Sequence, residues 1–186
     1  LLDLSKLESG HMHMNYSSTD LATIAREAVS QLSALAAGRG VRLLIEGSDV
    51  APLSADRERL LQVMTNLIGN AIKFTAADSV IRINWAAIEM MPDASDAHGS
   101  PGWRVTVIDA GPGIPAGEEE AIFDKFVQSS GTSTGAGGTG LGLAICREII
   151  SRHHGRITAS NAPEGGACFT FALPSDPPTI EEGGNP

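Results

Sequence analysis

The chain has 186 residues, of which 42% are hydrophobic, and its formal net charge at pH 7 is −9. This length and composition predict one globular domain that can bury a sizeable core, and they exclude an intrinsically disordered chain. The negative charge argues against binding to nucleic acid or to an anionic membrane surface, because phosphate groups would be repelled. Any phosphate site therefore has to be local.

Cysteine content and hydropathy indicate the cellular compartment. The two cysteines, Cys146 and Cys168, lie within apolar runs, where cysteine is most often a small buried hydrophobe rather than a disulfide or metal ligand. No apolar run approaches the roughly 18 residues needed to span a bilayer, and the N-terminus lacks a signal-peptide pattern. We expect a cytoplasmic fragment without direct membrane contact, whether or not its parent protein is membrane-anchored.

The first quarter of the chain predicts helices and one strand. Residues 1–10 place leucines near one helical face and stop at a glycine, which predicts the end of a helix that begins upstream. Residues 18–40 have apolar side chains at helical spacing behind a cap at Ser, Thr or Asp, and predict a second helix. A strand is predicted at 41–47, and a third helix begins near Asp56, which suits an N-cap.

Two strands and a flexible segment are predicted next. The runs 79–89 and 102–110 alternate and are rich in β-branched residues, which predicts a strand pair separated by an exposed loop of Pro, Gly, Asp and Ser. Residues 128–140 contain almost no apolar side chains and no charge. Such a segment is expected to be mobile.

The C-terminal part completes the expected fold. A last helix is predicted at 141–154, and two strands, 156–162 and 167–174, flank the turn PEGG. The acidic, Pro-rich residues 175–186 predict a disordered tail or linker. The order of elements is neither strictly alternating nor segregated, so we expect an α/β fold, an α+β two-layer sandwich with three helices on one face of a mixed sheet of about five strands.

The third helix carries an unusual polar side within the stretch NLIGNAIKFT. Asn66, Asn70 and Lys73 lie on the same side as Arg59 and Gln62, opposite a continuous apolar side. A solvated side is usually built from Glu, Lys, Arg and Gln, whereas Asn costs about 0.5 kcal/mol and a mid-helix Gly about 1 kcal/mol relative to Ala. The helix alone leaves two interpretations open, a solvated side and a ligand site.

Two glycine-rich stretches add to the ligand hypothesis. In DAGPGIP, Asp109 ends a strand, and the turn at Gly111 and Gly113 allows backbone to approach a ligand closely. In GGTGLGLA, glycines precede a helix, whose free amides and dipole attract phosphate. Each stretch is a weak signal alone. A P-loop pattern is absent, and the Gly-x-G-x-x-G match at 135–140 follows no strand, which excludes a dinucleotide fingerprint.

In chain order, NLIGNAIKFT, DAGPGIP, IFDKFVQ and GGTGLGLAI resemble the N box, first G box, F box and second G box of bacterial sensor histidine kinases, members of the Bergerat-type (GHKL) superfamily. Four ordered motifs are more specific than any one of them. The resemblance implies a catalytic and ATP-binding domain at 15–174. It also implies the end of a dimerisation hairpin helix and a linker at 1–14.

The resemblance assigns roles to the first two motifs. Asp109 would accept a hydrogen bond from the adenine amine, and Gly111, Gly113 and Ile114 would pass close to the base. Asn70 would offer its amide oxygen to Mg²⁺, which prefers hard oxygen ligands.

The resemblance also implies which residues lie near the phosphates of ATP. Lys73 would face them as a point charge. Residues 128–137 would form a lid flanked by Phe123 and Phe126, with Lys125 beside it. The phosphate-side helix start would comprise Gly138, Thr139, Gly140, Leu141 and Gly142.

Asn66 bears on the type of reaction. In the hydrolysing relatives, gyrase and the mismatch-repair ATPases, a glutamate at this position activates water. Asparagine cannot act as a general base, so the site is expected to hold ATP and leave its γ-phosphoryl group for a protein acceptor.

The lid departs from the family pattern. No Lys or Arg lies between Lys125 and Arg147, and Gln128 stands where an arginine is common. Neutralisation of the transferring phosphate then falls to Lys73 and Mg²⁺, with Lys125 as a further candidate.

The expected function is that of a protein-histidine kinase catalytic domain with ATP and Mg²⁺ as cofactors. None of the five histidines has the acidic neighbour expected of a phosphoacceptor, so the acceptor is expected on a separate dimerisation domain of a homodimeric parent. A response regulator is the expected downstream partner. Two alternatives remain: a nucleotide-binding regulatory scaffold that lacks transfer activity, and a Bergerat-type ATPase.

Overall fold

The structure is a computed structural model that describes residues 13–90, 99–130 and 139–176. Several predictions concern residues outside these ranges. They are the helix end at 1–10, most of the loop after residue 90, most of the lid (131–137) together with Gly138, and most of the tail.

The described elements are, in chain order, β1 (Ser17–Asp20), α1 (Leu21–Gly38), β2 (Arg42–Gly47), β3 (Pro52–Ala55), α2 (Arg57–Phe74), β4 (Val80–Met90), β5 (Ser100–Ile108), a short 3-10 helix (Ala121–Phe123), α3 (Gly142–Arg152), β6 (Arg156–Asn161) and β7 (Ala167–Pro174). None of these helices is long and apolar enough to cross a bilayer.

The main sheet has five strands in the order β2-β4-β5-β7-β6. Strands β2 and β4 are parallel, and the other neighbours are antiparallel. Alternate residues of β4, β5 and β7 are buried in one hydrophobic core with the apolar sides of α1, α2 and α3. The predicted mixed sheet with three helices on one face is therefore confirmed.

A second, two-stranded sheet pairs β1 with β3 and was missed from the sequence. The pairing runs antiparallel from Ser17 opposite Ala55 to Asp20 opposite Pro52. The residues of β1 suggest a helix cap, and Asp20 does cap α1, because its Oδ1 accepts hydrogen bonds from the amides of Ala22 (3.1 Å) and Ala51 (2.7 Å). The same short stretch thus ends a strand and begins a helix.

Helix α2 forms as its sequence predicts. Asp56 is its N-cap, with Oδ1 accepting from the Arg59 amide at 3.1 Å. Its apolar side is buried against the sheet, and each buried Leu or Ile contributes about 1.5–3 kcal/mol. Phe74, predicted on that side, is only half-buried. The buried residues are Leu60, Val63, Met64, Leu67, Ile68, Ala71 and Ile72.

Helix α3 packs antiparallel to α2. At its start, the Asn66 side chain lies 3.5 Å from the carbonyl oxygen of Gly142, and at its end the Asp56 amide donates to His153 Nε2 at 3.0 Å. Between them Cys146 is fully buried, and burial raises its thiol pKa to about 12. The prediction of a small buried cysteine is confirmed for Cys146, whereas Cys168 is half-buried on β7.

His153 joins three parts of the chain. At the end of a helix a cationic side chain would favour the dipole, but His153 is 2% exposed. Its Nδ1 lies 2.8 Å from the Ile149 carbonyl oxygen, so Nδ1 carries the proton and Nε2 accepts from Asp56. The Tyr16 ring packs edge-on against it, with centroids 5.4 Å apart. Burial lowers the pKa of this histidine, which is therefore a neutral acceptor.

This burial makes stability depend on pH. The folded-state pKa of His153 lies below its ordinary value of about 6.5, so the unfolded chain binds a proton that the folded chain does not. We expect the free energy of unfolding to fall as pH drops below about 6.5, by at most about 1.4 kcal/mol per pH unit. Urea titrations between neutral and mildly acidic pH would measure this. His153→Gln should flatten the dependence of the free energy of unfolding on pH, whereas substitution of the exposed His13 by Gln should not. If the two variants had the same pH profile, His153 would not be its source.

Candidate functional site

The polar side of α2 is half-buried rather than fully solvated. Asn66, Asn70 and Lys73 lie on successive turns and are each of intermediate exposure, so the first two are separated by about 6 Å along the helix axis. The Nζ atom of Lys73 lies 4.9 Å from the Phe74 ring centroid. No carboxylate in the described part of the chain pairs with this ammonium group, which leaves its charge available to a ligand.

Asp109 follows β5 directly and is 6% exposed. Its Oδ1 accepts from the amides of Gly111 (2.8 Å) and Ala167 (2.9 Å). No donor among the described residues reaches Oδ2. Burial raises the pKa of this carboxyl group, and the two amides act in the opposite direction because they stabilise the charged form.

The loop after Asp109 is packed against the end of α2. The Thr75 hydroxyl oxygen accepts from the Ala110 amide at 3.4 Å, and a Cβ at Gly111 would lie 2.9 Å from the Phe74 carbonyl oxygen. Glycine is therefore needed at 111 for this close approach. The packing places the buried carboxylate next to the end of the helix that carries Lys73.

Asn161 holds the far end of this loop and was not identified from the sequence. Its Oδ1 accepts from the Ile114 amide at 2.6 Å, and its Nδ2 donates to the Ile114 carbonyl at 2.8 Å. A Cβ at Gly113, where φ is +80°, would lie 2.6 Å from the same Oδ1. An asparagine before a turn gives no sequence signal for a contact with a residue 47 positions away.

Gly166 supports Asp109 from the other side. Its φ is +86°, and a Cβ there would lie 2.0 Å from the Asp109 carbonyl oxygen. From the sequence this residue is simply part of the turn PEGG, but it fixes where the site carboxylate lies.

The glycine-rich helix start faces Asn66. Thr139, Gly140 and Leu141 precede α3, which begins at Gly142, and its N-cap Leu141 makes no side-chain capping hydrogen bond. The first amides of α3 are therefore available to an anion. Gly140 has φ of +67°, and its carbonyl accepts from the Phe126 amide at 3.0 Å, which joins this segment to the F box.

The two predicted lid anchors differ. Phe123 is buried, packs edge-on against Phe169 with centroids 6.4 Å apart, and lies under the Arg147 guanidinium at 5.7 Å. Arg147 also pairs with Asp124 at 2.6 Å. Phe126 is 63% exposed, so it is attached through its backbone rather than through its side chain.

Lys125 is not brought to the polar side of α2. It lines a groove with Ala144, Arg147, Glu148 and Ser151, whose spacing places them on one side of α3. Cys146 and its neighbours on the opposite side face α2. Lys73 is the basic residue that shares the polar side of α2 with Asn66 and Asn70.

Glu118 was also missed, although it holds residues 129 and 130 at the start of the predicted lid. Its carboxylate accepts from the Ser129 hydroxyl (2.8 Å), the Ser130 amide (3.2 Å) and the Ser130 hydroxyl. The Ser130 and Ser129 hydroxyls lower the pKa of this carboxyl group, in that order of effect. Residues 128–130 are the described part of the lid predicted at 128–137.

The domain has a mixed sheet under three helices, and the polar side of one helix meets the uncapped, glycine-rich start of another. This arrangement defines a class of ATP-binding domains. The family model of the histidine kinase-, DNA gyrase B- and HSP90-like ATPases matches residues 55–177. The chain belongs to this family, and within it the similar proteins are histidine kinases.

Two relatives illustrate the similarity in sequence. Hybrid signal transduction histidine kinase D of Dictyostelium discoideum is 37% identical over 179 residues, which covers 95% of this chain and 11% of the relative. Adaptive-response sensory kinase SasA of Synechococcus sp. (strain CC9311) is 38% identical over 157 residues, which covers 83% and 38%. The chain thus spans well under half the length of these relatives.

Solved structures agree on the fold. The nucleotide-free catalytic domain of histidine kinase ThkA has a TM-score of 0.70 and 30% identity, covering 89% of this chain and 100% of that domain. Full-length ShkA in complex with AMPPNP has a TM-score of 0.76 and 28% identity, covering 93% and 34%. ThkA in complex with the response regulator TrrA has a TM-score of 0.71 and 28% identity, covering 95% and 49%.

Proposed function

We propose that this domain transfers the γ-phosphoryl group of ATP to a histidine on a dimerisation domain of its parent protein. The observation that carries the proposal is the contact between Asn66 and Gly142, which places the polar side of α2 against the free amides that begin α3. Asp109 stands at the other end of this polar side, beside the end of α2. The arrangement fits a purine at one end and a phosphate chain at the other.

Each chemical part of the nucleotide has a matching group. The free Oδ2 of Asp109 accepts from the adenine amine, and Gly111, Gly113 and Ile114 pass beside the base. The helix start at Thr139, Gly140, Leu141 and Gly142 carries the end of the phosphate chain, with Gly138 assigned to the same segment by sequence. Lys73, on the Asp109 side of Asn70, carries the phosphates nearer the base. Phe126, through its bond to Gly140, and Lys125 belong to the lid side.

Asn70 supplies the hard oxygen that suits Mg²⁺. When bound with ATP, Mg²⁺ neutralises charge on the phosphates as it develops. The carboxamide is half-exposed and lies between Asn66 and Lys73 on one side of α2, which fits an ion that keeps several of its waters.

Asn66 sets the reaction apart from hydrolysis. Its Nδ2 is directed to the Gly142 carbonyl at 3.5 Å, and a carboxamide cannot take a proton from water. We infer that the site orients the γ-phosphoryl group for a protein nucleophile and hydrolyses ATP slowly.

The proposed transfer is tested by mixing the chain with a separate dimerisation domain from a related kinase and labelled ATP. Label on histidine, together with little release of phosphate by the chain alone, is the expected result. ATP binding without any label would favour the regulatory scaffold, and steady phosphate release by the unmodified chain would favour the ATPase.

The magnesium assignment gives a direct prediction. Asn70→Ala removes one oxygen ligand, so we expect ATP affinity to fall about tenfold in the presence of Mg²⁺ and to change little in its absence. Isothermal calorimetry with and without Mg²⁺ measures both. Gln62→Ala, on the same side of α2 and bonded to Arg59 at 3.0 Å, is the matched control. An Asn70→Ala variant with normal Mg²⁺ dependence would rule out this ligand.

The partners follow from the proposed reaction. The complex of ThkA with a response regulator supports such a protein as the recipient of the phosphoryl group. We further propose that residues 15–174 form the catalytic domain, with 1–14 leading from a dimerisation helix and 175–186 forming a tail or linker. A cytoplasmic location suits this reaction.

A further inference from the structure

The sheet has one face that no described helix covers, called the open face below. In the middle of β4, β5, β6 and β7 most residues facing the helices are buried, such as Ile83, Val105 and Phe171, whereas their alternate neighbours there are half-buried or exposed. Because side chains alternate along a strand, these neighbours form the open face.

Arginines stand on the open face around small side chains. The strand register places Arg104 and Arg156 on either side of Ala172, with Ala86 next to Arg104. Two strand spacings separate the two arginines, which is about 10 Å between their Cα atoms. Arg82 lies on the same face, where it contacts Glu164 at 3.7 Å. The open face thus carries a local group of positively charged side chains, although the net charge of the chain is −9.

These arginines differ from those of the helical layer. Arg26 pairs with Asp49, Arg57 with Glu27, and Arg147 with Asp124. By contrast, Arg104 and Arg156 make no hydrogen bond or ion pair with any residue in the described ranges. Their charges are therefore available to a partner.

The open face beside the two arginines consists of small side chains, and their polar groups contact one another. The Thr170 hydroxyl lies 3.4 Å from the Thr106 hydroxyl, and Cys168 Sγ lies 3.8 Å from Thr170 Oγ1. Thr158 stands opposite Thr170 on β6. Because these hydroxyl and thiol groups already have partners, a second protein surface can cover them without leaving them unpaired.

We propose that the open face binds an acidic protein surface, with carboxylates placed on Arg104 and Arg156. Arginine presents a planar fork that matches a carboxylate, and the spacing calls for two carboxylate groups about 10 Å apart. Glu46 at the β2 edge and Glu164 beside Arg82 are the acidic residues at the margins. The interface is separate from the nucleotide site and does not rest on the proposed kinase reaction.

The test uses a short oligoglutamate peptide as the probe and amide chemical shifts as the readout. Because the chain and the peptide both carry net negative charge, binding requires a local cationic surface. We expect shift changes in β5, β6 and β7 around Thr106, Thr158 and Ala172. The double variant Arg104→Gln/Arg156→Gln should bind about tenfold more weakly, since each surface ion pair contributes up to about 1 kcal/mol.

The control is Arg26→Gln/Arg57→Gln, which removes the same charge from the helical layer and should leave peptide affinity unchanged. Both double variants should keep normal ATP affinity. Equal loss in the two variants, or shifts spread over the helices, would overturn the proposal. Failure of the peptide to bind would also overturn it, as would tighter binding by a single-stranded oligonucleotide or by phosphatidylserine vesicles.

Discussion

Asp109→Asn is expected to lower ATP affinity by about 10- to 100-fold while leaving the fold intact. The Asn side chain keeps an oxygen that accepts from the amides of Gly111 and Ala167, as Oδ1 does now at 2.8 and 2.9 Å. It places an NH₂ group where Oδ2 stands, and a donor cannot accept from the adenine amine. Loss of a hydrogen bond to a charged group costs about 1.5–3 kcal/mol.

Calorimetry with ATP and thermal unfolding of the same samples would separate the two effects. Burial raises the pKa of Asp109 because the carboxylate is poorly solvated, so a neutral amide should not lower the unfolding midpoint. GTP is the ligand control: guanine has an oxygen in place of the amine, so GTP should bind weakly to the unmodified protein, whose carboxylate has no proton to donate to that oxygen. If Asp109→Asn bound ATP normally, the purine would have to be recognised elsewhere.

Gly166→Ala is expected to abolish ATP binding and to destabilise the domain, whereas the neighbouring Gly165→Ala should do much less. Both residues have positive φ, +86° and +95°, so each substitution carries about 1–2 kcal/mol of backbone strain. A Cβ at 166 would lie 2.0 Å from the Asp109 carbonyl oxygen, whereas no atom of the described residues lies within 4 Å of a Cβ at 165. The difference between the variants therefore isolates displacement of Asp109.

Thermal unfolding and ATP titration of the two variants measure this difference. For a domain of this size, 1 kcal/mol corresponds to roughly 2–4 °C in the midpoint, so Gly165→Ala should lose only a few degrees and keep its ATP affinity. If the two variants behaved alike, the unfolding midpoint and the ATP affinity would depend on the conformation of the turn and not on the position of the Asp109 carboxylate.

Local features of the fold could be predicted from the sequence because their causes are local. Asp56 caps α2 through the amide of Arg59, three residues on, and the apolar side of that helix follows from its spacing alone. The β1–β3 pair was missed because strand 17–20 is short and polar and its partner begins at residue 52. Nothing within either segment encodes that pairing.

The same distinction applies to the site. The side of α2 that carries Asn66, Asn70 and Lys73 was predictable from helical periodicity. The clamp of Asn161 on Ile114 and the bond from Asp56 to His153 join residues 47 and 97 positions apart, so they appear only when the chain is folded. Lys125 illustrates the converse, because it belongs to the F box in sequence, yet its side chain lines a groove with Arg147 and Glu148 of α3.

At Gly69 the polar side of α2 bears no side chain, and among the described residues nothing beyond the helix's own backbone lies within 4 Å of where a Cβ would stand. An incoming ligand would rest there directly against main-chain atoms. The helix forgoes about 1 kcal/mol of intrinsic propensity relative to alanine at this residue. Access for a ligand and helix propensity thus oppose each other at Gly69. Alanine would raise the helix propensity, but its Cβ would occupy the space that a ligand needs.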